Sequence, residues 1–279
     1  MSGSKWFISI LYAITVLFIL YVCWLFLSNT GHTDIQSILQ LVNRNWFWRS
    51  VKLSLVTSFI TTIIAILIGI PAAYALSRFE IPGKTFIDII FASVIVLPAS
   101  SIGLCLIVAF QYEPVLKIQE ALGFRIVHSL PSIVIAQLVH AIAFGIKAWR
   151  VAFDNVNPRF EQVARTLGSS RIRTFWKITL PQSKIGIIAG IILAWTRAMA
   201  EFGAVLLFSS TFRNRHISQF SDITRFLGLD RADILPISML LEIECGNIEQ
   251  GIAIAFVLLM ITVLSVYTLN KIGGKGVLS

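Results

Sequence analysis

Two charged residues, Arg197 and Glu201, interrupt an apolar stretch and are the best candidates for chemistry in this chain of 279 residues. Residues four positions apart lie on one face of a helix, so these two side chains can form an ion pair. A lone charge in the middle of a membrane helix costs about 2.5 to 3.5 kcal/mol on insertion scales. The pair therefore either neutralises itself as a structural contact or lines a hydrated gate, and both interpretations stay open.

Patterns typical of catalysis or metal binding are missing from the rest of the sequence. The tripeptide Gly83-Lys84-Thr85 ends like a phosphate-binding loop, but Arg78 occupies the position at which that motif needs its first glycine. The cysteines show no C-x-x-C spacing. The histidines show no i, i+4 pair; they are His32, His128, His140 and His216. We expect neither a metal nor a cofactor on this chain, and no catalytic activity of its own.

The composition places the chain in a membrane. Hydrophobic residues make up 56% of it and charged residues only 13%, whereas a typical soluble domain has about 25% charged residues. A helix needs about 20 apolar residues to cross the hydrocarbon layer, and six segments approach that length: 6–27, 53–76, 88–111, 129–147, 185–210 and 250–270. The first is too long for a signal peptide and has no small-residue cleavage site, so we interpret it as a retained span. The predicted fold class is an all-α, polytopic transmembrane helical bundle of six spans, forming one domain over 1–279.

The basic residues predict the orientation of these spans. One set of loops and ends holds thirteen Lys and Arg residues, and the opposite set holds eight. Basic residues are enriched on the cytoplasmic side of membrane proteins, so the first set, which includes both termini, is predicted to be cytoplasmic. We expect a multi-pass protein of the cell membrane. Its net charge of +9 then reflects topology and anionic headgroups rather than binding to nucleic acid.

The longest predicted cytoplasmic loop, 151–184, has the sequence pattern of two short amphipathic helices. The expected signals are a start at Asn157-Pro158, a glycine with positive φ at Gly168, a second cap at Ser169 or Ser170, and a stop at Pro181. Each helix carries an apolar face opposite its cationic residues. The residues by themselves leave two roles open, because such helices either lie on lipid headgroups or dock a cytoplasmic partner.

A spaced motif in this loop resembles the coupling-loop signature of the permease subunits of ATP-binding-cassette (ABC) importers. The motif reads Glu-x-x-Ala-x-x-x-Gly and, after nine intervening residues, Ile-x-Leu-Pro; here it consists of Glu161, Ala164, Gly168, Ile178, Leu180 and Pro181. Gln162 stands where the family usually has alanine. The resemblance implies a fold like that of type I ABC importer permeases. It also implies that the loop helix seats in a cleft of a cytoplasmic ABC ATPase subunit, which binds the ATP and transmits its movements through the loop.

The fifth predicted span carries a narrower resemblance. Its sequence Arg-Ala-Met-Ala-Glu-Phe-Gly-Ala, 197–204, is similar to the core of the fifth span in permeases for molybdate, tungstate and sulfate; 79–88 and 96–104 are similar to other stretches of that subfamily. The resemblance implies a translocation pathway or gate made by Arg197, Glu201, Phe202 and Gly203. It also implies two further partners, an extracytoplasmic oxyanion-binding protein and a second permease copy, which we expect to form a homodimer with this chain. The outer segment 211–249 is longer than expected for that subfamily.

These patterns predict the permease subunit of an ATP-driven ABC importer that moves an oxyanion into the cytoplasm by alternating access. Molybdate or tungstate is the first substrate expected, and sulfate or thiosulfate is the alternative. A passive channel or a membrane enzyme is the alternative of another class. A channel needs a ring of selecting groups and an enzyme needs paired polar residues in several spans, and apart from Arg197 and Glu201 the sequence displays neither pattern.

Overall fold

The computed structural model describes residues 2–31, 35–124, 126–127, 129–209 and 233–273, and within these ranges the chain forms helices and no strands. The helices, in chain order, are α1 (Ser2–Gly31), α2 (Ile35–Val42), α3 (Asn45–Arg78), α4 (Lys84–Val96), α5 (Ala99–Gln111), α6 (Glu113–Ala121), α7 (Leu130–Asp154), α8 (Pro158–Thr166), α9 (Arg171–Thr174), α10 (Leu180–Gln182), α11 (Lys184–Met199), α12 (Gly203–Phe208), α13 (Leu235–Glu244) and α14 (Ile248–Gly273), with a π-helical turn, Phe175–Thr179, between α9 and α10. The predicted all-α class is confirmed.

Several helices are long and apolar enough to cross a membrane. Four described helices meet that test alone: Trp6–Trp24 within α1, α3, α7, and Ile248–Tyr267 within α14. Two sharply bent pairs, α4 with α5 and the α9–α10 segment with α11, raise the number to six if each pair counts as one span. The chain is therefore a multi-pass membrane protein, and α7 continues to Asp154, past the end of the fourth predicted span at position 147.

The third predicted span, 88–111, is not one continuous helix. α4 ends at Val96, α5 begins at Ala99, and the chain bends by 114° between them. Pro98 explains the break, because proline has no N–H to donate and disfavours helical geometry in the residue before it. Leu97 accordingly has an extended ψ of 138°.

The fifth predicted span, 185–210, is also interrupted. Residues 200–202 leave the helix between α11 and α12. In a continuous helix the N–H of Ala204 would bond to the carbonyl of Ala200, but here it donates to Oε1 of Glu201 at 3.2 Å. The carboxylate thereby replaces a backbone acceptor at the break. The last position of the predicted span lies outside the described residues.

The centre of the bundle is formed by α3, α7 and α11, which meet around the indole of Trp149. A Cβ atom added to Gly69 or Gly190 would lie 2.4 Å from an atom of that indole, and one added to Gly145 would lie 2.7 Å away. The three helices approach this closely because the contact positions carry no side chain. The indole Nε1 also donates a hydrogen bond to the carbonyl of Ile187 at 3.1 Å, which fixes the ring.

Hydroxyl side chains join α3 to α7. Thr61 donates a hydrogen bond to the amide oxygen of Gln137 at 3.0 Å, and the amide nitrogen of Gln137 donates to Thr57 at 3.3 Å. All three side chains are buried. Polar residues of this kind hold membrane helices together, because their alternative in hydrocarbon is an unpaired donor or acceptor.

The helix α13 lies in the long segment 211–249 and packs against the bundle. Leu235 and Ile237 are buried, and the N–H of Leu235 donates to Oγ of Ser54 on α3 at 2.8 Å. Part of this segment therefore belongs to the helical core. Positions 211–232 lie outside the described residues.

Candidate coupling and gate sites

The connection between α7 and α11, residues 155–183 and hereafter the elbow loop, consists of two helical pieces joined at Gly168. Asn157 Oδ1 accepts a hydrogen bond from a backbone N–H in the first turn of α8 at 3.0 Å, and Ser170 Oγ accepts one from the first turn of α9 at 3.3 Å. Gly168 has a φ of +83°, a conformation that strains residues with a Cβ atom. The predicted helix start, glycine turn and second cap are confirmed.

The second helical piece of the elbow loop ends near Pro181, as predicted, but it is not a regular α-helix. A π turn, Phe175–Thr179, follows α9, and the N–H of Leu180 bonds to the carbonyl of Phe175. This π turn changes the backbone hydrogen bonds from the i→i−4 to the i→i−5 pattern just before Pro181, which has no N–H to donate. The helix ends at Gln182, and the chain bends by 78° into α11.

Glu161 is the centre of a polar network that ties the elbow loop to the bundle. Its Oε1 accepts hydrogen bonds from Nε of Arg78 at 2.8 Å and from the hydroxyl of Thr179 at 2.9 Å. Its Oε2 accepts one from the hydroxyl of Tyr74 at 3.1 Å. The side chains of Arg78 and Glu161 are 9% and 13% exposed, so their ion pair is largely removed from water. One carboxylate thus joins α8, α3 and the π turn.

Arg78 extends this network to the end of α7. Its Nη2 donates to the carbonyls of Phe153 and Val156, both at 2.8 Å. A cation at this position complements the negative end of the α7 dipole, and the planar guanidinium offers several donors in fixed geometry. Among the described residues, no buried side-chain atom of the Glu161 network lacks a hydrogen-bond partner.

Two motif residues, Glu161 and Ala164, face the bundle, whereas their apolar neighbours face away. Of the other motif residues, Ile178 and Leu180 are half-buried, and Gly168 and Pro181 are exposed. The exposed large apolar side chains of the elbow loop are Phe160, Val163, Leu167, Ile172 and Trp176, of which Leu167 is the most open at 82%. Exposed large apolar side chains on short amphipathic helices are typical of a contact with lipid headgroups or with another protein.

Arg197 and Glu201 approach each other as expected, but a third residue, His140, shares the contact. Nη2 of Arg197 lies 3.5 Å from Oε2 of Glu201, and Nδ1 of His140 lies 2.9 Å from the same oxygen. Glu201 and His140 are fully buried, whereas 30% of the Arg197 side chain is exposed. These three residues are hereafter the His–Arg–Glu cluster. It joins the middle of α7 to the break between α11 and α12.

His140 was not predicted as a site residue, because the histidines have no metal-binding spacing. Tyr74, Arg78 and Thr179 were not predicted as partners of Glu161 either. A usable signal existed for His140, since an ionisable side chain in the middle of an apolar span is by itself an indication of function. Its partner could not be identified, because only the packing of α7 against the break brings the two residues together.

Phe202 and Gly203 lie where the two interrupted spans touch. A Cβ atom added to Gly203 would lie 2.9 Å from the N atom of Ser100 at the start of α5, and one added to Gly103 would lie 2.9 Å from Cα of Ala204. α5 and α12 therefore pack at a distance that glycine alone permits. Phe202 is half-buried and packs against an apolar cluster that includes Ile102 and Ala204. Non-helical backbone is tolerated at membrane depth where it is buried in protein or lines a hydrated cavity.

Comparison with known families decides the class of this protein. Residues 65–272 match the family described as "Binding-protein-dependent transport system inner membrane component". The chain belongs to this family. The matched range contains the elbow loop and the His–Arg–Glu cluster, and the family is one of transport components, in agreement with the prediction of a transporter subunit rather than an enzyme.

Curated relatives confirm the resemblance to the oxyanion subfamily. The molybdate/tungstate transport system permease protein WtpB of Thermococcus kodakarensis is 34% identical over 63% of this chain and 66% of its own length. WtpB of Methanocaldococcus jannaschii is 31% identical over 82% of this chain and 90% of that protein. The sulfate transport system permease protein CysT of Salmonella typhimurium is 24% identical over 92% of this chain and 90% of that protein. The chain spans less than two thirds of WtpB from T. kodakarensis and from Pyrococcus furiosus, 66% and 59% respectively.

Solved structures support the fold. A bacterial alginate ABC transporter, solved in complex with an alginate pentasaccharide-bound periplasmic protein, contains a chain that superposes with a TM-score of 0.73. The superposition covers 99% of this chain and 96% of that chain at 14% identity. At this identity the likeness concerns the fold alone, and it confirms the predicted architecture of a type I importer permease.

Proposed function

We propose that this chain is the membrane-spanning permease subunit of an ATP-driven ABC importer, which passes an oxyanion from an extracytoplasmic binding protein into the cytoplasm. The observation that carries the proposal is the construction of the elbow loop. Its motif carboxylate, Glu161, is fixed to α3 by Tyr74 and Arg78, while its large apolar side chains remain exposed. A loop that is rigidly joined to the spans and apolar on its free side is suited to transmit force from a docked partner.

The partner proposed for this surface is a cytoplasmic ABC ATPase subunit, which binds the ATP. Leu167, Ile172 and Trp176 provide an apolar surface for a cleft in that subunit. When the ATPase opens or closes, movement of α8 passes through Glu161 and Arg78 to α3 and to the end of α7. The spans then tilt as rigid bodies between inward-open and outward-open arrangements, which is alternating access.

The proposed orientation places both termini and the elbow loop in the cytoplasm, in line with the excess of basic residues on that side. Single cysteines at Ser170 and Lys117, both exposed, test it in a background without the native cysteines Cys23, Cys105 and Cys245. An impermeant thiol reagent should label position 117 in intact cells and position 170 only after permeabilisation. Labelling of position 170 from outside would invert the proposed topology.

A second permease copy completes the proposed route. The partly exposed Arg197 and the break at Phe202 and Gly203 form one wall, and a cation beside a membrane route needs a second wall that separates it from lipid. An identical or similar chain, related by an approximate two-fold axis, supplies that wall in the simplest arrangement.

Molybdate or tungstate is the proposed cargo, and sulfate or thiosulfate is the alternative. The proposal is supported by two relatives named molybdate/tungstate permeases, at 34% and 31% identity, and the alternative by a relative named a sulfate permease, at 24% identity. The guanidinium of Arg197 is a suitable group to meet any of these anions, because it pairs well with the oxygens of an oxyanion.

Reconstitution of the permease with its ATPase in proteoliposomes tests both mechanism and cargo. Binding protein is added loaded in turn with molybdate, tungstate, sulfate or thiosulfate, and ATP hydrolysis and anion uptake are measured on the same vesicles. We expect one loaded form to stimulate hydrolysis and to deliver its anion in an ATP-dependent manner. Anion uptake without ATP would identify a passive channel and overturn the proposal.

A further inference from the structure

The buried polar atoms that lack a hydrogen-bond partner are concentrated in one place. Within the described part of the chain there are five such side-chain atoms, and four of them belong to the His–Arg–Glu cluster: both ring nitrogens of His140, Nε of Arg197 and Oε2 of Glu201. Buried polar groups are nearly always paired in proteins, so a group of unpaired atoms needs a specific explanation.

The geometry of Glu201 supplies that explanation. Its Oε1 is occupied by the N–H of Ala204, so Oε2 is left for the two other residues of the cluster. Nδ1 of His140 is within hydrogen-bond distance of Oε2, at 2.9 Å, but its direction does not complete a bond. Nη2 of Arg197, at 3.5 Å, is too far for a strong bond. Oε2 of Glu201 therefore has two neighbouring donors, and neither completes a hydrogen bond with it.

Arg197 has a second contact besides Glu201 and is partly open to its surroundings. Its guanidinium carbon lies 5.6 Å from the ring centroid of Phe144, and 30% of its side chain is exposed. A cation can leave a carboxylate for an aromatic face or for an incoming anion. Departure of Arg197 alone would leave Glu201 as an unpaired buried carboxylate, which is strongly unfavourable.

We propose that His140 is the positioning residue of the gate: its imidazole takes over Oε2 of Glu201 when Arg197 turns toward the oxyanion, and so keeps α12 capped while the gate changes state. This inference rests on the proposed gating role of Arg197 and Glu201. Gln137, one turn away on α7, provides the contrast, because it is fully engaged with Thr57 and Thr61 and serves to join helices.

Two amide substitutions separate positioning from packing. Asparagine at position 140 can place a donor near the position of Nδ1, whereas glutamine places its donor near Nε2, away from Glu201. In the reconstituted complex with ATPase and binding protein, uptake of radiolabelled molybdate and of sulfate is compared with ATP hydrolysis. We expect His140→Asn to keep at least about half of wild-type uptake. His140→Gln and His140→Leu should lower uptake about tenfold or more while hydrolysis continues, the effect of losing one hydrogen bond to a charged group.

The matched control is Gln137→Leu, which should reduce the amount of assembled permease without changing uptake per assembled complex. In a Glu201→Gln background, His140→Leu should have no further effect on uptake, because its partner has lost its charge. If the leucine variant does not assemble, the comparison of asparagine with glutamine decides the question.

Equal uptake by His140→Asn and His140→Gln would overturn the positioning role, as would normal uptake by His140→Leu. Failure of the underlying gate is recognised separately, since it would appear as full uptake by the Arg197→Gln/Glu201→Gln double variant with His140 intact. Loss of uptake in that double variant, together with equal uptake by the two amide variants, would support the gating role of Arg197 and Glu201. It would also show that His140 takes no part in gating.

Discussion

The Glu161 network in the elbow loop and the His–Arg–Glu cluster at the broken fifth span are both built on a glutamate that meets an arginine. In the first, Arg78, Thr179 and Tyr74 donate to the two carboxylate oxygens of Glu161 at 2.8 to 3.1 Å. In the second, His140 and Arg197 share one oxygen of Glu201, and several buried atoms stay unpaired.

This difference separates a stiff connection from a movable one. A fully satisfied polar network is rigid, because any displacement breaks several hydrogen bonds at once. In the His–Arg–Glu cluster two donors face one acceptor oxygen without completing a hydrogen bond, so fewer bonds oppose a displacement. The elbow loop has the first property, which suits the transmission of force. The break in span five has the second property, which suits a gate.

The largest effect is expected when the stiff network is broken at Arg78. Arg78→Gln leaves Glu161 largely buried without its cation and removes the donors to the end of α7, so we expect destabilisation of about 3 to 5 kcal/mol. The yield of assembled permease–ATPase complex should fall accordingly. Arg78→Lys retains the charge but not the planar set of guanidinium donors, so its yield of assembled complex should lie between those of the wild type and the glutamine variant. Normal assembly of the glutamine variant would show that the network is not a structural connection.

The next effect concerns the movable cluster and should appear in transport rather than in assembly. Glu201→Gln and the double variant Arg197→Gln/Glu201→Gln should insert, bind the ATPase and hydrolyse ATP, because neither leaves a buried carboxylate unpaired and the cation that remains in the single variant is partly exposed. Uptake should fall at least about tenfold, equivalent to 1.4 kcal/mol. Membrane-assembled protein and uptake are measured on the same samples. Full uptake by the double variant at normal expression would return the pair to a structural role and remove the contrast between the two sites.

A third change tests the elbow without touching either glutamate. Gly168→Val should strain the backbone by about 1 to 3 kcal/mol, because φ is positive at this position; no atom lies within 4 Å of the added Cβ, so crowding is not the cause. The spans should remain inserted while the affinity for the ATPase, measured by co-purification and titration, decreases. Gly168→Asn is the control, since asparagine tolerates positive φ. Equal affinity of the valine variant and the wild type would show that the left-handed turn is dispensable.

The smallest effect is expected at the cap of the second helical piece. Ser170→Ala removes the acceptor for the backbone N–H of Arg173 and should destabilise the start of α9 by about 1 kcal/mol. The expected result is a modest decrease in ATPase affinity with unchanged uptake at saturating ATPase. Ser170→Thr keeps the oxygen and should resemble the wild type. A decrease larger than that of Gly168→Val would mean that Ser170 contacts the partner directly.

Much of the architecture was predictable because it depends on local properties. The length of apolar segments predicts helices that cross a membrane, and the elbow loop was predicted from a cap at Asn157, a turn at Gly168 and a second cap at Ser170. The breaks within the third and fifth predicted spans were harder to predict. Hydropathy does not detect three non-helical residues in an apolar stretch, so 185–210 was predicted as one span although it divides at 200–202.

By itself, the sequence determined that the chain is an all-helical membrane protein, and its spaced motifs identified the importer family to which it belongs. Only the tertiary structure decided that Glu161 is held by Arg78 and that Glu201 is shared between Arg197 and His140. The physical reason is that a helix and its cap are set by residues a few positions apart. Pairing between distant side chains depends instead on which helix faces pack together, and here glycines and Trp149 at the centre of the bundle set that packing.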